Sequence, residues 1–107
     1  MEDGPMKWSE LSSTKRDLLI TIGAVNRDPD RVSSGTAIIS ELRRRYDYTG
    51  RKRSYYTALS ELADVDLVDK DATALDGRTV SYQLTPTAVR LIDEHRADVD
   101  DSVRVLA

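Results

Sequence analysis

The stretch LVDKDATALDGRTVSYQLTPTA, residues 67–88, decides the fold of this chain. Apolar and polar residues alternate over 79–84, which is typical of a strand with one buried face, and 67–75 form a second candidate strand. Between them, Asp76 and Gly77 favour a tight hairpin turn because both residue types tolerate positive φ. Thr85 and Pro86 suit the N-cap and the first turn of a helix. The stretch therefore predicts a β-hairpin followed by a helix over 86–103.

Three amphipathic segments precede this hairpin, and their apolar residues recur at the spacing of α-helices. The predicted helices cover 15–25, 36–46 and 51–64, and the turn 47–50 joins the second to the third. Their predicted buried faces are Leu18, Leu19, Ile22 and Val25; Ile38, Ile39, Leu42 and Tyr46; and Tyr56, Leu59, Leu62 and Ala63. The order of three helices, hairpin and helix predicts a mainly helical α+β fold. This order further predicts a winged helix-turn-helix with a two-stranded wing and a C-terminal dimerisation helix.

Charge is distributed unevenly along the chain. The net charge is −3, with 14 Asp against 5 Glu and 12 Arg against 4 Lys, and a third of all residues are charged. A net negative charge alone argues against a nucleic-acid partner. However, residues 43–53 hold six basic side chains and one acidic side chain. This basic segment is either a solvated helix end or a surface for an anionic partner.

The basic segment coincides with the part of a helix-turn-helix that meets DNA. In that motif the N-terminal residues of the recognition helix contact base edges in the major groove. We therefore predict that double-stranded DNA is the partner and that an arginine near the hairpin tip also reaches it. The predicted DNA-binding residues are Arg44, Arg45, Arg51, Lys52, Arg53, Ser54, Tyr55, Thr57 and Arg78. Among the tyrosines, Tyr48 is the other candidate for a DNA contact, whereas Tyr56 is expected to be buried.

The last helix carries a second pattern, a short heptad seam with one polar member. Apolar side chains on such a seam pack against a second helix, so the sequence predicts a homodimer. The predicted dimer-interface residues are Trp8, Val89, Ile92, Arg96, Val99, Val103 and Leu106. Trp8 is also expected to pack against the C-terminal helix.

Several classes of protein are disfavoured by composition. The chain has no cysteine, which excludes disulfides and thiolate chemistry. His95 is the only histidine and makes a poor metal site without partners. No nucleophile–base pair or phosphate loop is found, so we expect neither an enzyme nor a cofactor. No apolar stretch approaches a membrane span, and residues 1–8 do not resemble a signal peptide, so we expect a cytoplasmic protein.

Short motifs along 11–93 resemble the PadR-like transcriptional regulators, and small haloarchaeal and halophage repressors share the pattern. The motifs are Leu11-Ser12 leading into Lys15-Arg16-Asp17-Leu18-Leu19, Tyr56 with Leu59 and Leu62, Leu67-Val68, and Tyr82-Gln83-Leu84-Thr85-Pro86. The resemblance implies a homodimer that represses by occupying its promoter. The Asp-rich, Lys-poor composition is likewise similar to that of haloarchaeal proteins. Asp66 departs from the family, which usually has Gly before the first strand, and the single C-terminal helix is short.

We expect one domain, with an N-terminal arm over 1–10, a winged-helix core over 11–84 and the dimerisation helix and tail over 85–107. The leading prediction is a sequence-specific, dimeric DNA-binding regulator, most simply a repressor. The alternative is a winged-helix protein-interaction module in which the basic surface meets an acidic partner. Because fold does not determine function, the properties of the exposed surface must separate the two.

Overall fold

The computed structural model describes residues 6–72 and 80–106, and its elements follow the predicted order. A short 3-10 helix, Trp8–Glu10, leads into three helices, two antiparallel strands and a long last helix. The elements are α1 Ser13–Asn26, α2 Gly35–Tyr46, α3 Lys52–Asp64, β1 Val68–Asp71, β2 Ser81–Leu84 and α4 Pro86–Leu106. This is the winged helix-turn-helix that the sequence predicts.

The core lies where α1, α2 and α3 converge. The predicted apolar faces of α1 and α2 are confirmed, except that Tyr46 is only half-buried. Serine hydroxyls begin both helices: Ser12 Oγ accepts from the Lys15 N–H at 3.3 Å, and Ser34 Oγ accepts from the Ala37 N–H at 3.1 Å. These caps satisfy backbone N–H groups that would otherwise lack a partner within each helix.

Asp66 ends α3 in the left-handed conformation, with φ of 62°. Its N–H donates to the Ala63 carbonyl, and the Leu67 N–H donates to the Leu62 carbonyl. This pair of bonds is a Schellman motif, which usually has glycine at the left-handed position. Aspartate therefore takes over the glycine's role here, as its tolerance for positive φ allows.

The wing sheet pairs Val68 with Leu84 and Asp71 with Ser81. The first predicted strand, 67–75, is assigned here only over Val68–Asp71. The Asp76-Gly77 turn lies outside the described residues. α4 extends to Leu106, three residues beyond the predicted end, because no glycine or proline follows Pro86 to stop it. No helix within 6–72 and 80–106 is long and apolar enough to cross a membrane.

β2 is held to the helices by side chains from the α1–α2 region. Asn26 Nδ2 donates to the Tyr82 carbonyl at 3.0 Å, and Asn26 Oδ1 accepts from the Leu84 N–H at 3.1 Å. The Tyr82 N–H also donates to the Ser33 carbonyl at 2.9 Å. Asn26 and Ser33 thus provide hydrogen bonds to β2 in addition to those from β1, and these bonds fix the wing relative to the helix-turn-helix.

Candidate nucleic-acid interface

The N-terminal turn of α3 is an exposed cationic surface. Arg51, Lys52, Arg53 and Ser54 are all exposed, and none of the three cations has an ion-pair partner among the described residues. A helix N-terminus already carries partial positive charge from the helix dipole, so cations there are unfavourable for the helix itself. An anion placed against this turn would relieve that repulsion. We refer to residues 51–54 as the α3 face.

A clamp on Gly50 fixes the start of α3. Arg43 donates from its guanidinium to the Gly50 carbonyl at 2.9 Å, and the Gly50 N–H donates to the Tyr55 hydroxyl at 2.7 Å. The Arg43 guanidinium also lies 5.8 Å from the centre of the Tyr55 ring. A Cβ on Gly50 would lie 2.8 Å from the Tyr55 hydroxyl oxygen, so glycine is required for this close approach. The clamp orients the α3 face relative to the end of α2.

The prediction that Tyr55 contacts DNA is wrong, as is the prediction that Tyr56 is buried. Tyr55 is 3% exposed and belongs to the core, whereas Tyr56 is 37% exposed and packs beside Gly35 at the start of α2. The buried face of α3 comprises Tyr55, Ala58, Leu59 and Leu62. Either tyrosine could share a helical face with Leu59 by spacing alone. Burying Tyr55 gives its hydroxyl a backbone partner at Gly50, which the spacing does not reveal.

Tyr48, the other tyrosine considered for DNA, is half-buried. Its hydroxyl donates to Asp17 Oδ2 at 2.8 Å, and its ring packs edge-on against Tyr55. Burial, reinforced by the hydrogen bond to Asp17, raises the pKa of the Tyr48 phenol. Tyr48 therefore holds the α2–α3 turn against α1.

Arg44 and Arg45 are bound to a buried carboxylate. Glu41 is 6% exposed and forms ion pairs with Arg44, with Arg31 at 3.2 Å and with Arg45 at 3.7 Å. The hydrogen bond from Arg44, followed by that from Arg31, holds the pKa of Glu41 below its usual range despite burial. The basic segment 43–53 thus divides into arginines with partners in the protein and the unpaired α3 face.

Thr57, a further predicted contact residue, is exposed on α3. Its hydroxyl donates to the Arg53 carbonyl at 3.0 Å and can still accept a hydrogen bond from outside. Arg78 lies outside the described residues.

The heptad seam predicted on α4 is largely exposed to solvent. Val89 is 46% exposed, Val99 43% and Val103 57%, while Ile92 is half-buried and Arg96 is ion-paired to Asp93 at 3.2 Å. α4 ends at Leu106, whose side chain lies outside the described part of the chain.

Trp8 packs against α4, as predicted. Its indole stacks on the His95 ring at 4.7 Å between centroids. This contact occupies the only histidine of the chain. Within 6–72 and 80–106, no three acidic or histidine side chains are grouped as a metal ion would require.

Sequence reasoning missed Asn26, the Gly50 clamp and the Glu41 cluster. One signal was available for Glu41, because a carboxylate two residues after Ile39, next to Leu42 and followed by arginines at i+3 and i+4 indicates a buried ion pair. Asn26 gave no such signal, since its partners lie more than fifty residues away in sequence.

The chain has structural relatives but no sequence relatives that define a family. No protein-family model matches it, and no curated protein matches it. Among solved structures, a mutant of Lactococcus lactis ZitR superimposes with a TM-score of 0.67 at 21% identity, covering 90% of this chain and 57% of that chain. A mutant of S. aureus MepR gives 0.70 at 15% identity, covering 92% and 65%. The MepR–DNA complex of S. aureus gives 0.68 at 14% identity, covering 90% and 70%.

These relatives are similar to the chain in fold. The chain spans about three fifths of the length of the ZitR chains that it matches. ZitR is described as a zinc-responsive MarR family member.

Proposed function

We propose that this chain is a double-stranded-DNA-binding transcription regulator that acts as a homodimer and represses by occupying its promoter. The observation that carries the proposal is the α3 face, whose three exposed cations lie at a clamped helix N-terminus and have no ion-pair partner within 6–72 and 80–106. In a winged helix this turn is positioned to enter the major groove. That a MepR structure of similar fold is a complex with DNA supports DNA as the partner.

The roles within the surface follow from exposure and chemistry. Arg51, Lys52 and Arg53 provide most of the affinity through phosphates and base edges, and Ser54 and Thr57 tune sequence preference. Tyr56 replaces Tyr55 as the aromatic residue available to DNA, since it is the exposed one of the pair.

Arg44 and Arg45 lie in the last turn of α2, and we assign them a smaller share of the DNA affinity because Glu41 partly neutralises them. Arg78, at the predicted wing tip, contacts a phosphate or the minor groove.

The homodimer rests on α4. Exposed valines at helical spacing are unfavourable in water, and packing against a second copy removes them from it. Replacing Ile92 and Val99 together with Asp should give monomers in sedimentation experiments. A wild-type protein that is monomeric at micromolar concentration would remove this part of the proposal.

The alternative, a protein-interaction module, requires an apolar surface in place of the DNA-facing one. On the outward side of α3, Tyr56 is the one large apolar side chain exposed among the described residues, and its neighbours are cations and hydroxyls. This composition favours DNA. We also propose that the protein is cytoplasmic and has no enzymatic activity.

The structural similarity supports the fold alone, so the assignment to a particular family of regulators rests on sequence motifs and composition. We propose a PadR-like regulator of the small haloarchaeal or halophage type, on the motifs given above and on the Asp-rich composition. In such a protein, salt screens repulsion between the acidic exterior and DNA. Fold and specific binding should therefore both persist above molar KCl.

A mobility-shift assay with DNA from immediately upstream of the gene tests the proposal. We expect a retarded complex that survives excess unrelated DNA, and its loss when Arg51, Lys52 and Arg53 are all changed to Ala. The matched control removes three exposed cations from other elements, Lys7, Arg90 and Arg104, and should retain binding. A folded triple variant with unchanged affinity would show that the α3 face is not the DNA-binding surface.

A further inference from the structure

Three exposed side chains of α3 carry an aliphatic hydroxyl, and one of them differs from the others in its hydrogen bonding. The three are Ser54, Thr57 and Ser60. The Thr57 Oγ1 atom lies 3.0 Å from the Arg53 carbonyl oxygen. A carbonyl oxygen can only accept, so the Thr57 hydroxyl must donate its single proton to it. In the described part of the chain, no hydrogen bond engages the hydroxyl of Ser54 or Ser60.

Thr57 lies on the outward side of α3, opposite the buried face given above. It is the sixth residue of the helix and follows Arg53 by one turn on the same side. The end of the helix that comes after it is acidic, with Glu61, which is paired to Lys15 at 3.1 Å, and Asp64. Phosphates are therefore drawn to the turn before Thr57. Since the N-terminal part of a recognition helix faces base edges, the Thr57 hydroxyl is directed toward bases.

We propose that Thr57 selects a base that presents an amino group in the major groove, which is adenine through N6 or cytosine through N4. This inference rests on the DNA-binding function proposed above and specifies what one side chain of that surface recognises. In the major groove the amino groups of adenine and cytosine are donors, whereas guanine presents the acceptors O6 and N7 and thymine the acceptor O4. A hydroxyl whose proton is committed to the helix pairs with such an amino group and not with those acceptors.

The Thr57 hydroxyl can serve guanine or thymine only by giving up its bond to the Arg53 carbonyl. Turning the proton outward exchanges one hydrogen bond for another, whereas accepting from an amino group adds a bond to the one already present. The branched Cβ of threonine also leaves few side-chain rotamers in a helix, and the bond to the preceding turn is made in one of them. Ser54 and Ser60 can donate or accept, so their hydroxyls provide no such selection.

Selection from a library of random DNA duplexes tests the inference. The wild type, Thr57→Val, Thr57→Ser and Ser60→Ala proteins each select from the same library, and circular dichroism confirms that each is folded. We expect adenine or cytosine at one position of each wild-type half-site, and we expect Thr57→Val alone to lose this preference. Valine keeps the branched shape, so a methyl contact with thymine would survive that substitution. Thr57→Ser keeps the hydroxyl and should keep the preference, and Ser60→Ala is the matched control.

Base analogues in the selected duplex then test the amino group itself. Purine in place of adenine, or 2-pyrimidinone in place of cytosine, lacks the amino group and shows which of the two bases Thr57 meets. The replacement should weaken wild-type binding by about tenfold more than it weakens binding by Thr57→Val. Any effect of the analogue on base pairing is shared by both proteins and therefore cancels in this comparison.

The outcomes separate the inference from the function on which it rests. A wild-type protein that enriches no sequence would refute sequence-specific DNA binding itself. A wild-type protein with a defined site would uphold that function, and the inference would still be overturned if Thr57→Val changed a preference for guanine or thymine, or changed no position. Equal losses of affinity with the analogue in wild type and Thr57→Val would overturn it too, since the amino group would then not meet the threonine hydroxyl.

Discussion

The salt dependence of DNA binding should reflect how many cations of the basic segment are unpaired. Each phosphate contact adds about −0.9 to the slope of log affinity against log salt concentration. Counterion release from the three unpaired cations of each α3 face contributes about −5 to the slope for a dimer, whereas six such cations per protomer would contribute about −11. If acidic residues close in sequence to the basic segment, such as Asp47 and Asp64, bind cations as the complex forms, the measured slope becomes still shallower.

Two sets of substitutions distinguish these values. Changing Arg51, Lys52 and Arg53 to Ala should make the slope shallower by about 5 for the dimer, because none of these side chains has an ion-pair partner among the described residues. Changing Arg44 and Arg45 to Ala should reduce it by less than about 2 for the dimer, because Glu41 already pairs with both.

The assay is a fluorescence-anisotropy titration of a labelled operator at five KCl concentrations, with circular dichroism at each point to confirm the fold. A wild-type slope near −11 would refute the distinction between the ion-paired arginines of the basic segment and the unpaired cations of the α3 face. Equal effects of the two sets of substitutions would refute it too.

Three further predictions concern the elements that hold the surface in place. Gly50→Ala should destabilise the fold by about 1–2 kcal/mol and weaken DNA binding, because the added Cβ would displace the Tyr55 hydroxyl. The control is Gly23→Ala, whose added Cβ would contact only the flexible Leu84 side chain. Equal effects of the two substitutions in urea unfolding would contradict the clamp. Asn26→Ala should cost about 2 kcal/mol by removing two bonds to β2, and a variant as stable as wild type would show that the wing is anchored otherwise. Because the pKa of Glu41 is lowered in the fold, its ionised form stabilises the protein at neutral pH, and this contribution is lost as the pH falls below about 4.5. The difference in unfolding free energy between wild type and Glu41→Gln should therefore shrink in acid. A difference independent of pH would contradict the ion-pair cluster.

Local patterns were sufficient to predict the elements and their order. The alternation over 79–84, the caps at Thr85 and Pro86 and the apolar spacing of α1 and α2 each depend on a few neighbouring residues. The left-handed conformation of Asp66 has a local cause too, since aspartate tolerates positive φ better than most residues besides glycine. Predictions of this kind are confirmed because the decisive contacts are close in sequence.

The site was predicted less completely, because its geometry depends on contacts between distant elements. The choice between Tyr55 and Tyr56 was decided by a hydrogen bond to the Gly50 backbone, which the helical period does not encode. Charge counting treated Arg44 and Arg53 as equivalent, whereas burial of Glu41 separates them. The sequence therefore predicted the elements that carry the basic segment, whereas burial and ion pairing determine which of its side chains are free.

Footprinting on the DNA upstream of the gene tests the central claim most directly. Two copies of the α3 face related by a two-fold axis predict a palindromic site. Its two protected half-sites lie about 34 Å apart, one turn of the duplex. The triple Ala variant at Arg51, Lys52 and Arg53 should leave this DNA unprotected while remaining folded. Protection that is absent in the wild type, or unchanged in the folded variant, would contradict the account.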